Sequence, residues 1–143
     1  MTISHKNIAL LLGLFALASQ VVQAQVAIIV GPQSTATALT QEQVSSLFLG
    51  KSDNLPGAGT ALLFDQPESS AVREAFYTKA TGKSAAQVKA TWSRLIFSGK
   101  GNPPKELGDS AAIKKAVASS ANAVGYVEKS AVDGSVKVLL TIE

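Results

Sequence analysis

Val26-Ala27-Ile28-Ile29-Val30 is an unbroken apolar run, mostly β-branched, closed by Gly31-Pro32. Such a run reads as a buried strand, and it sets the frame that the rest of the chain must cover. The remainder of the chain alternates between helix and strand signals. Thr40-Gln41-Glu42-Gln43 is a capping box, with Thr40 as cap and Gln43 reaching back. Val44, Leu47 and Phe48 then fall on one helical face, and Gly50 ends the helix. Residues 52–59 are rich in turn formers and read as a surface loop. Ala61-Leu62-Leu63-Phe64 reads as a strand, followed by a helix from about Ser70 to Ala80 that buries Val72, Ala75, Phe76 and Ala80. Gly82 terminates that helix. A second capping box, Ser84-Ala85-Ala86-Gln87, opens the longest helix, whose apolar stripe is Val88, Trp92, Leu95 and Ile96.

Residues 98–104 break that helix sharply. Asp109 or Ser110 caps a further helix through Ile113 and Val117. Two short strands close the chain, Ala123–Val127 and, after an Asp133-Gly134 turn, Val136–Ile142. No internal repeat or linker divides it. Strand and helix in alternation predict an α/β domain, a sheet flanked by helices.

The first 24 residues stand apart. His5 and Lys6 precede an apolar run from Ile8 to Ala18, and Val22-Gln23-Ala24 precedes Gln25. This is the pattern of a secretory signal cleaved after Ala24, and the run is short of the roughly 20 residues a spanning helix needs. The expected mature domain is 25–143, an exported and periplasmic chain large enough for one core.

Composition removes whole classes of chemistry. There is no cysteine and one histidine, His5, inside the expected signal. A mature chain without imidazole or thiol has no Ser-His-Asp triad and no common zinc site. No metal, no cofactor and no enzymatic activity are expected. Lys and Arg exceed Asp and Glu by three, 13 against 10, and the charges read as spread along the sequence, so nucleic acid is not an expected partner. Gly50-Lys51-Ser52 and Gly82-Lys83-Ser84 look like P-loop tails. Both lack the first glycine and both follow helices, so neither qualifies.

The stretch most suggestive of function is Ser69-Ser70-Ala71-Val72-Arg73-Glu74. Its two hydroxyls stand where a strand gives way to a helix, beside unpaired N–H groups and the positive end of the helix dipole. That is a natural seat for an anion. The competing reading is a plain serine cap with Arg73 and Glu74 solvated in the first turn. Trp92 reads as core, Gly99–Pro104 as either a helix stop or a binding loop, and Gly125-Tyr126 as a close approach of backbone.

In order, Leu39-Thr40, Leu47-Phe48-Leu49-Gly50-Lys51, Ser70 with Arg73-Glu74-Ala75-Phe76, Trp92, Phe97-Ser98-Gly99-Lys100-Gly101 with Pro103-Pro104, and Val124-Gly125-Tyr126-Val127 form a series. This series resembles the phosphate-binding proteins of ABC transporters, the PstS-like periplasmic binding proteins, and more closely a short subgroup about one lobe long. The resemblance covers nearly all of residues 25–143. It implies a periplasmic-binding-protein-like (type II) single lobe with a mixed sheet. It implies phosphate or a related small oxyanion as ligand, a link to a membrane transporter, and anion contacts at Glu68, Ser69, Ser70 and Arg73. By the same resemblance, Gln66 stands where the family carries an arginine, Glu68 where it carries an acid, and Ser70-Ala71-Val72 where it carries Ser-Gly-Thr. Arg73, on nearly the same helix face, could partly replace the lost charge. The alternative is an interaction module that kept one lobe for its surface, docking on another envelope protein or associating with itself to complete a cleft.

Overall fold

A computed structural model describes residues 25–143; the expected signal, 1–24, lies outside the described residues. Seven strands and four α-helices run in the order β1 (Val26–Val30), α1 (Gln41–Phe48), β2 (Asn54–Leu55), β3 (Gly59–Thr60), β4 (Leu62–Asp65), α2 (Ala71–Thr81), α3 (Ala85–Phe97), β5 (Lys105–Glu106), α4 (Ser110–Ala118), β6 (Ala123–Glu128) and β7 (Lys137–Ile142). A short 3-10 turn, Lys129–Ala131, follows β6.

The main sheet has the order β5-β4-β6-β1-β7. β4 pairs in parallel with β5 and β6, while β1 runs antiparallel to β6 and β7. The sheet is therefore mixed, as expected. β1 lies between two partners and is buried along its whole length. Its alternate residues feed two cores. Val26, Ile28 and Val30, with Val124 and Tyr126 of β6, pack under α1, α2 and α3. Ala27 and Ile29, with Ala123 and Val127, pack against Ile113 and Val117 of α4. The period of two in a strand sends successive side chains to opposite faces, so one apolar run nucleates both layers.

Local signals fix most helix ends. Both capping boxes form: Thr40 and Gln43 bond reciprocally at α1, and Ser84 and Gln87 at α3. Gly82 closes α2 in the left-handed conformation, with φ 71°. Gly125 is a packing residue. A Cβ there would stand 2.7 Å from Ile113 Cγ2, so its absence lets α4 lie close on β6. Trp92 belongs to the core, and its indole N–H donates to the Phe48 carbonyl at 2.8 Å.

Several expectations need correction. Val72 and Ala75 are only half-buried; Arg73, Phe76, Tyr77 and Ala80 are the buried face of α2. Ile96 is half exposed, because the stripe of α3 turns away from the core in its last turn. The loop over 52–59 contains the β2–β3 hairpin. Lys105-Glu106 forms an edge strand that the sequence does not suggest.

Candidate functional site

β4 and β6 are neighbouring parallel strands, and their C-terminal ends open onto the N-termini of α2 and α4. Ligands in open α/β sheets bind in this kind of crevice. Here the crevice is an open cleft of about 560 Å³, lined by Gln66, Ser69, Ser70, Ser110, Lys114 and Glu128 among others.

The two helix starts are built alike. Ser70 caps α2 by accepting the Arg73 N–H at 3.3 Å, and Asp109 caps α4 by accepting the Ala112 N–H at 2.8 Å. Each cap satisfies one first-turn N–H. The remaining first-turn N–H groups, Val72 and Ala111 of the cleft wall among them, stay directed past the helix end. A chain of side-chain hydrogen bonds joins the two starts. Ser70 donates to Gln66 Oε1 at 2.9 Å, Gln66 Nε2 donates to Ser110 Oγ at 3.0 Å, and Ser110 donates to Glu128 Oε2 at 2.6 Å. Gln66 is 4 % exposed and also reaches the Tyr126 carbonyl at 3.3 Å, so the bridge is anchored in the core. The cation of the cleft is Lys114, whose ammonium pairs with Asp133 at 2.7 Å.

Beyond Gln66 lies a second polar group, buried apart from its Glu106 edge. Asp65, 3 % exposed, accepts from Tyr77 Oη at 2.5 Å, from Tyr126 Oη, and from the Gln66 N–H at 2.8 Å. Arg73 stands beside it, with Nη2 at 3.9 Å from Asp65 Oδ2. Arg73 Nη1 donates to Glu106 at 2.6 Å and to the Gln66 carbonyl at 3.0 Å. Burial pushes the Asp65 carboxyl above its ordinary range, opposed by the two tyrosine donors and by Arg73. Burial, and then the Asp65 charge, push both tyrosine hydroxyls far above their usual value.

The four residues expected to hold an anion are therefore placed differently. Ser69 and Ser70 line the cleft together. Glu68 is exposed and pairs with Lys89, whose ammonium holds its carboxyl below the usual range. Arg73 is 5 % exposed, and its guanidinium bonds Glu106 and the Gln66 carbonyl rather than lining the cleft. The reading of Arg73 as a solvated first-turn residue is overturned, because its acidic neighbours come from β4 and β5, distant in sequence. Lys114 and Glu128 are cleft residues that sequence reasoning misses, while Gln66 is noted there only as the family's arginine position and Ser110 only as a candidate cap. The one signal for them is the cap at Asp109 or Ser110, a second helix start whose meeting with the first is a tertiary fact.

No protein-family model matches the chain, and no curated protein matches it significantly. Solved structures do. A Clostridium perfringens protein, assigned as a phosphate ABC transporter substrate-binding protein and solved with bound phosphate, superposes with a TM-score of 0.65 at 23 % identity, covering 82 % of this chain and 45 % of that one. An ABC-type phosphate transport receptor from Vibrio cholerae superposes with a TM-score of 0.63 at 22 % identity, covering 82 % of this chain and 47 % of that one. The chain thus spans less than half the length of either neighbour, and what it shares with them is the α/β fold of periplasmic binding proteins.

Proposed function

We propose that residues 25–143 bind a small tetrahedral oxyanion, phosphate foremost, in the cleft between the starts of α2 and α4. The observation that carries this reading is the convergence of two capped helix N-termini on one crevice at the ends of parallel strands. Unsatisfied N–H groups and two positive dipole ends favour a negative ligand there. Ser69, Ser70 and Ser110 add hydroxyl donors, Gln66 an amide, and Lys114 a full positive charge. The hydroxyls of Ser70 and Ser110 can rotate from their present acceptors toward a bound oxygen at little cost. Two solved neighbours of this fold are described as phosphate-transport proteins, and one holds phosphate.

Glu128 gives the cleft a preference. A carboxylate beside an oxyanion repels it unless the ligand offers a proton to share. Phosphate near neutral pH carries one and sulfate carries none, so Glu128 accepts a hydrogen bond from the first and opposes the second. The protein is then a non-enzymatic solute-binding protein, periplasmic and linked to phosphate transport. Its cleft has one wall among the described residues, so affinity is expected no tighter than micromolar, about −8 kcal/mol.

Calorimetric titration of the chain from Gln25 to Glu143 tests this. Saturable heat with phosphate, and much weaker heat with sulfate, is expected. Absence of phosphate binding at millimolar concentration would discard the cleft as a ligand site. The lobe would then be an interaction module, a reading favoured by the Asp133 partner that already occupies Lys114.

A further inference from the structure

Phe97, the last residue of α3, is 96 % exposed, and its neighbour Ile96 is 51 % exposed. Phe97 has almost none of its surface covered, whereas the other large exposed apolar side chains, Leu62 and Val138, keep more than half of theirs covered. Along α3, Ala86, Ala90, Ser93 and Phe97 are all exposed and follow the four-three-four spacing of one stripe. This stripe is thus small and uncharged, bordered by the exposed Lys89 and Arg94, and it ends in a projecting ring.

The segment that carries the stripe has one sign of charge in sequence, while Glu68, Glu74 and Glu106 reach the helix from neighbouring elements and leave its C-terminal end around Phe97 to cations. Residues 75–105 contain Lys79, Lys83, Lys89, Arg94, Lys100 and Lys105 and no Asp or Glu; all 10 acidic residues lie outside this segment. Of these cations, Lys89 is opposed by Glu68. Lys83, Arg94, Lys100 and Lys105 are exposed and have no ion-pair partner among the described residues. Arg94 precedes Phe97 by three residues and Lys100 follows it by three.

We infer that the outer face of α3 rests on an anionic lipid surface, with Phe97 inserted at the headgroup boundary and Arg94 and Lys100 against lipid phosphates. Arg94 and Lys100, which flank the apolar tip, are complementary to such a surface. A protein partner would need a pocket for the ring, whereas a bilayer interface receives a projecting aromatic without one. No described helix is long and apolar enough to cross a membrane, so the contact is peripheral. One aromatic plus a few cations gives reversible rather than permanent attachment. This inference is independent of the ligand in the cleft.

The test is co-sedimentation of the Gln25–Glu143 chain, which contains both core clusters, with vesicles. Vesicles of phosphatidylglycerol mixed with phosphatidylcholine should bind it, and pure phosphatidylcholine should not. Phe97→Ser should weaken partitioning about tenfold or more, and Arg94→Gln with Lys100→Gln by about tenfold. Neither change should shift thermal unfolding, since these side chains are exposed. Phe97→Trp should show a blue-shifted emission component, absent from wild type, when anionic vesicles are added. Equal binding to neutral vesicles, no binding at all, or salt-sensitive binding indifferent to Phe97→Ser would overturn the inference. The last outcome would point to an acidic protein or another polyanion.

Discussion

The two polar groups flanking the end of β4 use similar side chains to opposite ends. Above, Gln66, Ser70, Ser110 and Glu128 form a hydrogen-bonded chain along an open cleft. Below, Asp65, Tyr77, Tyr126 and Arg73 form a buried knot that borders a small pocket on its Glu106 side. The backbone of Gln66 joins them, its N–H bonding Asp65 and its carbonyl accepting from Arg73. In the cleft most hydrogen bonds are between neutral groups whose hydroxyls can turn to a ligand. In the knot a charge is committed on nearly every side, and a ligand would have to displace it. Exchangeable polar contacts suit recognition, and buried committed ones suit positioning, even though Arg73 Nε is left without a partner. The knot holds the Gln66 backbone, and so the cleft floor, in place.

The strongest way to break this contrast is Arg73→Ala. If the knot is closed, removing its one cation leaves Asp65 buried without an opposing charge, at a cost of about 3–5 kcal/mol. Denaturant unfolding measures it. A loss under 1 kcal/mol would mean that Arg73 is as dispensable as a surface residue, and that the two regions do not differ in kind.

A second, somewhat smaller effect is alkaline. The tyrosine hydroxyls of the unfolded chain ionise near their ordinary value of about 10, while in the folded protein burial and Asp65 hold both well above it. Their folded values are raised, so their contribution is complete below about pH 10 and is lost as pH rises beyond it. Each tyrosine should remove about 1.4 kcal/mol per pH unit there. Tyrosinate absorbance should appear together with unfolding, and Tyr126→Phe should separate the two signals. Tyrosinate forming in a still-folded protein would show the knot open to solvent.

How much of this is legible in the sequence depends on the range of the forces. The caps at Thr40, Ser70 and Ser84 are contacts over three residues, and the sequence displays them directly. Val26–Val30 and Ala123–Val127 announce strands because both faces are buried and apolar. Lys105-Glu106 has no such pattern; two polar residues become a strand only because β4 offers a free edge beside them. Arg73 misleads for the same reason. Its neighbour Glu106 is 33 positions away, and a helical first-turn arginine looks the same in sequence whether it meets water or a buried carboxylate. Ser110 is visible as a helix start, while its place opposite Ser70 depends on β4 and β6 lying side by side.

Ser70→Ala is expected to cost about 1 kcal/mol of stability, the worth of a lost cap, along with some oxyanion affinity. Thermal unfolding with and without phosphate separates the two losses. A stability loss with no change in affinity would make Ser70 a cap and nothing more.

Ser110→Ala has the smallest expected effect on stability and tells the most about the cleft. Asp109, not Ser110, caps α4, so the helix keeps its cap. Gln66 Nε2 keeps the Tyr126 carbonyl, and Glu128 is half-buried and can turn to water. Stability should change by less than about 0.5 kcal/mol, as for a surface substitution. Phosphate affinity should nevertheless fall about tenfold to a hundredfold, because a hydroxyl bonded to a charged oxygen contributes roughly 1.5–3 kcal/mol. With phosphate bound, the single Ser110 proton goes to the ligand, so Glu128 is held by the phosphate proton and not by Ser110. Discrimination against sulfate, which Glu128 carries, should therefore be kept as affinity falls. Calorimetry of both anions on both proteins checks this. If Ser110→Ala binds phosphate as tightly as wild type, the start of α4 takes no part, and any anion sits on α2 alone.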